Sequence, residues 1–525
     1  MDQKKFSIGI EFGSTRIKAV CLDEKGVILT SGDYVWENEY VDHYWSYPLD
    51  KAKEGLVSCF ALLKKNYLEK YGEPLTRAGA IGISGMMHGY LVLDKDDNLI
   101  SPFRTWRNTI TKEESEELSK AFSFHVPQRW SISHIYQAVK YREDEAKKIC
   151  FATTLAGYFH YLLTGKKVIG VGEASGMFPI DPNTGDYDSK MIDSFRELTK
   201  GKTPWDIIDI LPKPLKAGEY AGVLTKEGAL LLDPSGEFST GIPFVPPEGD
   251  MQTGMVATNS CRKGMGNASF GTSSNTTIVT DKKIGIHPEL DVIVSPTGYP
   301  AILIHVNNCT TDINHWVSLF KEVIALGGGE IKTGELYEKL FTLALDSEDD
   351  AGGLLSFNYF SGEAISKIHE GRPLIVRTPN SNLTLANFMK MHLFSLLCTL
   401  KLGVDILEKE EGVHIDKVVG HGGFFKTKEV GQRMLSAALN CPIALNASAG
   451  EGGPYGMALL ASYYLHKEEK ETLEDYLDSK IFANLPSNEV SCNEKERKGF
   501  LEYYKNYIDA LPLEKQATEV IGVKK

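Results

Sequence analysis

Glu11, Gly13, Ser14 and Thr15 follow an apolar run (Phe6, Ile8, Ile10) and precede a second strand-like segment, Ile17 to Leu22. That pattern reads as a β-hairpin with an acid at a strand end and glycine and hydroxyls at its tip. Backbone N–H groups in such a turn can point at an anion, and glycine lets the chain approach closely. A neighbouring carboxylate can hold a hydrated magnesium ion. One reading is a nucleotide-phosphate site; the other is an ordinary N-terminal hairpin of an α/β domain. A second turn of the same kind, Gly271-Thr272-Ser273 within Asn267 to Ser274, weighs toward a clamp on a polyphosphate, although a polar β-turn alone would look similar.

Asp250, in Gly249-Asp250-Met251-Gln252-Thr253-Gly254, follows a proline-rich turn at the start of an expected helix. It can be a helix N-cap or a general base for a hydroxyl nucleophile, and phosphoryl transfer needs little covalent chemistry beyond such a base. Met87 and His88 lie between two hydrophobic runs, beside Gly89, where a small polar ligand can reach a strand end. Trp106, Arg107 and Asn108 put an aromatic, a cation and an amide in one tripeptide, suited to lining a sugar, with a solvated Arg107 as the alternative. The glycine-dense turns at Gly420-His421-Gly422-Gly423 and Glu451-Gly452-Gly453-Pro454-Tyr455-Gly456 each precede an expected helix. They suit either a flat nucleobase or plain turns.

Alternating signals must position these residues. After the opening hairpin, a third strand is expected within Gly26 to Trp36, a helix from Pro48 to Tyr71, and two β-rich runs from Ala78 to Asp94. Ser131 to Leu163 reads as mainly helical, stopped by Thr164-Gly165. Near Asp250 the pattern restarts. A hairpin over Gly264 to Val279, a long helix from Asn387 to Lys409, a strand at Val418 and helices at Gly431 to Leu439 and Gly456 to Leu465 follow. Lys467 to Asp475 and Glu494 to Ile508 read as terminal helices. Two α/β units, each opened by a glycine-bearing hairpin, suggest an internal duplication, with domains at 1–253 and 254–525.

The chain of 525 residues is too long for one core. Its net charge of −13 argues against a general nucleic-acid binder, without excluding an anion pocket built from amides. No apolar stretch approaches a membrane span and no signal peptide is evident, so a cytoplasmic protein is expected. The cysteines are scattered without a C-x-x-C pair, which speaks against zinc or a disulfide framework. A P-loop, a complete dinucleotide fingerprint, H-E-x-x-H and G-x-S-x-G are all missing.

In order, GIEFGSTRIKAVCLD, ISGMMHGYLVLD with WRN, LTGKKVIGVGEASGMFPID, AGEYAGVLT, GDMQTG, ASFGTSS, NYFSGE, GHGGFF and EGGPYGMALLA resemble the motifs of the FGGY carbohydrate kinases. These form the sugar-kinase branch of the actin, Hsp70 and hexokinase ATPase superfamily. The resemblance spans about Phe6 to Tyr464 and implies an α/β fold of two actin-like (ribonuclease H-like) domains with the site in the cleft between them. It implies ATP and Mg2+ as cofactors and a ketopentose as acceptor, xylulose first, with L- or D-ribulose as the alternative and a gluconate-like acid sugar further behind. A nucleotide-gated ATPase switch is the competing class. By position, Asp250 falls on the catalytic base. Gly13, Ser14 and Thr15, with Lys18, fall on the first phosphate loop, and Gly271, Thr272 and Ser273 on the second. Met87 and His88 fall on sugar contacts, with Trp106, Arg107 and Asn108 beside them. Gly422, Gly423, Glu451 and Tyr455 fall near the adenosine. Magnesium falls to Glu11, through water, and to Asp250. The partners implied are a small sugar and ATP, without nucleic acid or membrane, and a homodimer is left open. Glu11 stands where most relatives have Asp, Arg107-Asn108 where xylulokinases often have Asn-Asp, and Met251 where they often have Asn. Trp130 to Lys140 lacks the common Lys-x-x-Trp pattern.

Overall fold

The computed structural model describes residues 2–446, 452–483 and 487–522. The chain forms two compact units. One comprises Met1–Arg262, Val292–Ala301 and Glu451–Leu485; the other comprises Lys263–Asp291, Ile302–Gly450 and Pro486–Lys525. A boundary between 253 and 254 would cut the helix Asp250–Ala257, which stays whole in the first unit.

The first unit is built on strands β1 (Ser7–Phe12), β2 (Arg16–Leu22), β3 (Ile28–Val35), β4 (Ala80–Gly85) and β5 (Glu248–Gly249), in the order β5-β4-β1-β2-β3. β1 pairs antiparallel with β2 and parallel with β4, as the opening hairpin and the later β-rich run required. Alternation assigns the two faces of β1. Ile8, Ile10 and Phe12 enter a core with Leu56, Phe60 and Leu63 of helix α1 (Leu49–Tyr71). Phe12 also stacks on Phe159 at 4.1 Å; Phe159 lies on a helix, Leu155–Thr164, beyond α2 (Ser131–Tyr141) and here named α3. The opposite face carries Gly9 and Glu11. Two further helices of this unit, α4 (Asp250–Ala257) and α7 (Gly452–His466), complete its site.

The second unit repeats the plan. The seven-stranded sheet holds β6 (Met265–Phe270), β7 (Ser274–Val279), β8 (Asp291–Val294), β9 (Pro300–Val306), β10 (Lys417–Gly422), β11 (Ile443–Asn446) and β12 (Ser487–Val490), of which β8 beyond Asp291 and the first two residues of β9 are counted in the first unit. The sheet order is β8-β9-β7-β6-β10-β11-β12, and the chain passes between units along β8 and β9. Again a hairpin, β6 with β7, pairs parallel with a later strand, β10. Helices α5 (Thr311–Leu326), α6 (Leu385–Asp405) and α8 (Glu494–Val520) belong to this unit.

Three local expectations need correction. Ser131 to Leu163 is broken by a strand, Phe151–Thr153, paired antiparallel with Leu91–Leu93; Thr154 then caps α3 by accepting from Gly157 N. Lys467 to Asp475 turns helical only at Leu473, after Thr472 accepts from Asp475 N. The last helix runs past Ile508 to Val520 with Pro512 inside it. Among the described residues no helix is long and apolar enough to cross a membrane.

Helix α7 lies directly on the backbone of β1 and α4. A Cβ on Gly9 would come within 2.2 Å of the Pro454 carbonyl oxygen, and one on Gly456 within 1.9 Å of the Thr253 carbonyl oxygen. Both contacts are backbone and cannot be relieved by a rotamer change. Gly456→Ala is therefore expected to destabilise the protein by about 1–3 kcal/mol or more through overpacking. Gly254→Ala, in open space on α4, is expected to be neutral or to stabilise by about 0.5–1 kcal/mol. Thermal melting of the pair checks both; an unchanged midpoint for Gly456→Ala would contradict the close packing.

Candidate functional site

The loop Gly13-Ser14-Thr15 is held by its carbonyls. Trp36 Nε1 donates to Gly13 O at 2.7 Å, Tyr47 Oη to Ser14 O at 2.6 Å, and Trp36 N to Thr15 O at 3.2 Å. The Trp36 and Tyr47 rings pack on each other at 4.3 Å. Gly13 N donates within the turn to Arg16 O. Among the described residues the amides of Ser14 and Thr15 meet no protein acceptor. With every carbonyl drawn back, two donors remain for an anion.

Glu11 stands opposite Lys18 across the hairpin and opposite Ser84 on β4. Gly453, at the start of α7, leaves space for the Glu11 carboxylate: a Cβ there would lie 1.9 Å from Glu11 Oε1. The neighbouring Ser84 and Thr253 hydroxyls are 3.2 Å apart. Burial, then the charge of Asp250, raises the Glu11 carboxyl to about 8, with Lys18 opposing.

Asp250 occupies the first turn of α4, but it is not the cap. Gly249 is the N-cap residue, and Asp250 Oδ1 instead accepts from Met87 N at 3.2 Å. The carboxyl is partly exposed, and desolvation raises it to about 6 against the pull of surrounding amides. His88, next along, adopts a left-handed backbone (φ 71°) and directs Nδ1 toward Gly176 O at 3.4 Å. Burial and the Arg129 charge hold its imidazole neutral. With the Nδ1 proton on Gly176 O, Nε2 is left as an acceptor for a hydroxyl. Met87, His88, Asp250 and Glu11 thus form one neighbourhood.

Two acids missed at sequence level complete it. Glu248 accepts from Glu173 N at 2.8 Å and Gly172 N at 3.3 Å, and burial raises it to about 8. Glu173 is fully buried and pushed well above the usual carboxyl range, chiefly by burial, with Asp250 and Glu248 adding to the shift. A Cβ on Gly249 would lie 2.3 Å from Glu173 Oε2. The signal for Glu173 was present in GVGEASG, an acid among small residues.

Other expected residues are placed differently. Asn108 is buried and its amide is committed to a loop: Oδ1 accepts from Trp45 N at 2.9 Å, and Nδ2 donates to Trp45 O at 2.8 Å and Thr105 O at 3.0 Å. It shapes the segment and has no donor left for a sugar. Arg107 is exposed and its guanidinium lies 4.3 Å from the Trp45 ring centre; Trp106 is exposed. Tyr455 is buried within the first unit, with its hydroxyl donating to Gly26 O at 3.2 Å, so packing replaces the adenosine contact expected of it. Glu451 lies outside the described residues.

In the second unit, Gly271-Thr272-Ser273 repeats the first loop by other means. Cys309 N donates to Thr272 O at 3.0 Å, and Thr310 N and Oγ1 to Gly271 O at 3.1 and 2.7 Å. Gly271 N closes the turn on Ser273 O, and the amides of Thr272 and Ser273 meet no protein acceptor among the described residues. Register places Gly422 beside Phe270, at the foot of this loop. Gly422 needs its left-handed φ of 103°, and a Cβ there would strike Phe270 O at 2.3 Å. Gly422 and Gly423 are exposed, above Phe424 stacked on Phe270 at 5.1 Å.

Among the described residues no three His, Cys, Asp or Glu side chains converge as a metal cage. Glu11 and Asp250 still form a half-buried pair of neighbouring acids, and such a pair suits one divalent cation that keeps most of its waters.

Comparison with known proteins bears on the family and the fold. Residues 6–257 match the N-terminal domain, and residues 266–465 the C-terminal domain, of the FGGY family of carbohydrate kinases. The xylulose kinase of Haemophilus influenzae is 24% identical over 526 residues, covering 96% of this chain and 99% of that relative. Among solved structures, a xyloylose kinase from Brucella ovis aligns with a TM-score of 0.78 at 14% identity, over 97% of this chain and 99% of that one. A gluconate kinase from Lactobacillus acidophilus aligns with a TM-score of 0.77 at 16% identity, over 98% and 99%. These structures share the two-domain actin-like fold. With both of its domains matched in order, the chain belongs to the FGGY family of carbohydrate kinases and is a sugar kinase.

Proposed function

We propose that this kinase transfers the γ-phosphate of ATP to a hydroxyl of a ketopentose, xylulose first. The observation that carries the proposal is Asp250, a carboxyl raised toward neutrality, oriented by Met87 N and flanked by a neutral His88. The carboxylate takes the proton of the sugar hydroxyl while that oxygen forms its bond to the γ-phosphorus. The bond from the γ-phosphorus to the β-γ bridging oxygen breaks, and ADP leaves with that electron pair. His88 Nε2 accepts from a second sugar hydroxyl and sets the acceptor's orientation. The amides of Ser14 and Thr15, and those of Thr272 and Ser273, are assigned to phosphate oxygens, with Lys18 supplying positive charge and the bare backbone at Gly422 and Gly423 serving the adenosine. Mg2+ would be held by Glu11 through water, with Asp250 beside it, and would supply charge neutralisation for the phosphates.

Arg107 favours a second reading. Its guanidinium is fixed on Trp45 yet exposed, and Tyr47, which bonds Ser14 O, senses its charge. Such a cation suits a sugar acid as well as a neutral ketose. Phosphorylation of a panel holding D-xylulose, L- and D-ribulose and gluconate, read by ADP release, decides. Release stimulated by a ketopentose is expected; release stimulated only by gluconate selects the second reading, and release that no sugar stimulates overturns both in favour of a nucleotide-gated switch.

Asp250→Asn is expected to lower kcat about 10²–10⁴-fold while ATP affinity stays within about twofold. Steady-state kinetics with nucleotide titration measure the two effects separately. The pH profile gives an independent check. Asp250 acts ionised, and its raised value moves the acid limb up, so kcat/KM for the sugar should fall about tenfold per pH unit below about 6. A limb remaining near pH 4 would assign the base to another group.

A further inference from the structure

Asn308, Asn358 and Glu363 form a buried polar hub that no step above uses. Their side chains are 4%, 3% and 1% exposed. They surround residues 307–310, which join β9 to α5. Glu363 Oε2 accepts from Asn307 N at 2.9 Å, Asn308 N at 3.3 Å and Asn308 Nδ2 at 3.1 Å. Asn308 Oδ1 accepts from Phe360 N at 2.9 Å and Ser361 N at 3.0 Å, and its Nδ2 also donates to Ser361 O at 3.2 Å. Asn358 Nδ2 donates to Asn308 O at 3.0 Å and Cys309 O at 3.1 Å. Both backbone directions of residues 307–309 are therefore tied to the segment 358–363.

The next atoms along the same chain are the Cys309 and Thr310 amides, which hold the carbonyls of Thr272 and Gly271. The hub thus ends, through one rigid tetrad, on the loop whose outward amides have no acceptor. No Lys, Arg or His side chain pairs with Glu363 among the described residues; against its burial it has only N–H groups, those of Asn307, Asn308 and Ala364. A buried acid held by N–H groups with no cation beside it is a costly way to brace a loop. It is explained if the position of residues 307–310 matters more than local stability.

The geometry points to Glu363, Asn308 and Asn358 as positioning residues for the second phosphate loop. They act through Cys309 and Thr310 and fix the direction in which the Thr272 and Ser273 amides point. This inference rests on the reading of Gly271-Thr272-Ser273 as a phosphate loop. Its signature is selective: loss of the hub should weaken binding of the phosphates and spare binding of the nucleoside.

The test compares ADP with adenosine by calorimetric titration of the full-length protein. Glu363→Ala is expected to raise the ADP Kd about tenfold, as loss of aligned donors to a charged ligand does, with the adenosine Kd within twofold. Glu363→Gln, which keeps an acceptor oxygen for the same N–H groups, should remain within about threefold of the parent for ADP. Asn358→Ala removes the donor from the opposite side, should act as Glu363→Ala does, and carries the test if that variant does not fold. Equal losses for ADP and adenosine, or no loss for ADP, overturn the inference. Thr272→Glu, which puts an exposed carboxylate on the loop itself, separates the two levels. If it leaves ADP affinity unchanged, the phosphate-loop reading fails; if it weakens ADP while Glu363→Ala and Asn358→Ala do not, the reading stands and the hub has no positioning role.

Discussion

The first unit depends on a helix lying almost in contact with the main chain of its neighbours. Gly9, Gly453 and Gly456 remove the side chains that would hold α7 away from β1 and α4. The approach has two consequences that follow from distance alone. It removes water from around Glu11 and Asp250, which sit on the two elements that α7 covers. It also brings those carboxyls near enough for the charge of one to be felt by the other. In water, charges at such separations would interact weakly; against low-dielectric backbone the charge of Asp250 helps raise the Glu11 carboxyl. A structural contact thus becomes a chemical property of the site.

Carboxyls surround this contact with little opposing charge. Glu11, Glu173, Glu248 and Asp250 are all raised, each chiefly by burial. They differ in what compensates them. Glu248 has two backbone amides from the short helix Val171–Ala174 and serves to join that helix to β5. Asp250 has the amides of Met87 and Met251 and is partly exposed, so it can exchange a proton with a ligand. Glu11 has Lys18 and the gap at Gly453. Of these, Asp250 combines solvent access, orientation and a value near neutrality, the combination a general base requires.

The hairpins were legible because strand alternation and the Gly-Ser-Thr and Gly-Thr-Ser tips are local signals. Asp250 and the Met87-His88 pair each stand at a break between an apolar run and a turn, and the fold brings them into contact. Asn108 and Tyr455 were read in sequence context as ligand contacts, yet long-range partners absorb their polar atoms. Asn108 binds the backbone of Trp45 and Tyr455 binds Gly26, 63 and 429 residues away. Glu248 was hidden because an isolated acid carries no periodicity, and the small residues around Glu173 marked a turn without naming its partner. Only folding brings Glu173 to Gly249. The return of Gly452–His466 to the first unit was hidden in the same way, since no change of composition marks a chain that leaves a unit and later rejoins it.

The two hairpins show which feature of such a loop is under constraint. The first has its carbonyls fixed by the side chains of Trp36 and Tyr47 and the Trp36 amide; the second has them fixed by the amides of Cys309 and Thr310 and the Thr310 hydroxyl. The bracing residues share neither chemistry nor position in the sequence. The outcome is the same in both: carbonyl dipoles turned inward and successive amides turned outward. A loop that only had to reverse the chain would need its internal turn bond and nothing more. Fixing each carbonyl separately sets the field that the amides project, and a preoriented field does not have to be reorganised when charge arrives. Both units contain the hairpin, and in each its carbonyls are tied back by unlike means.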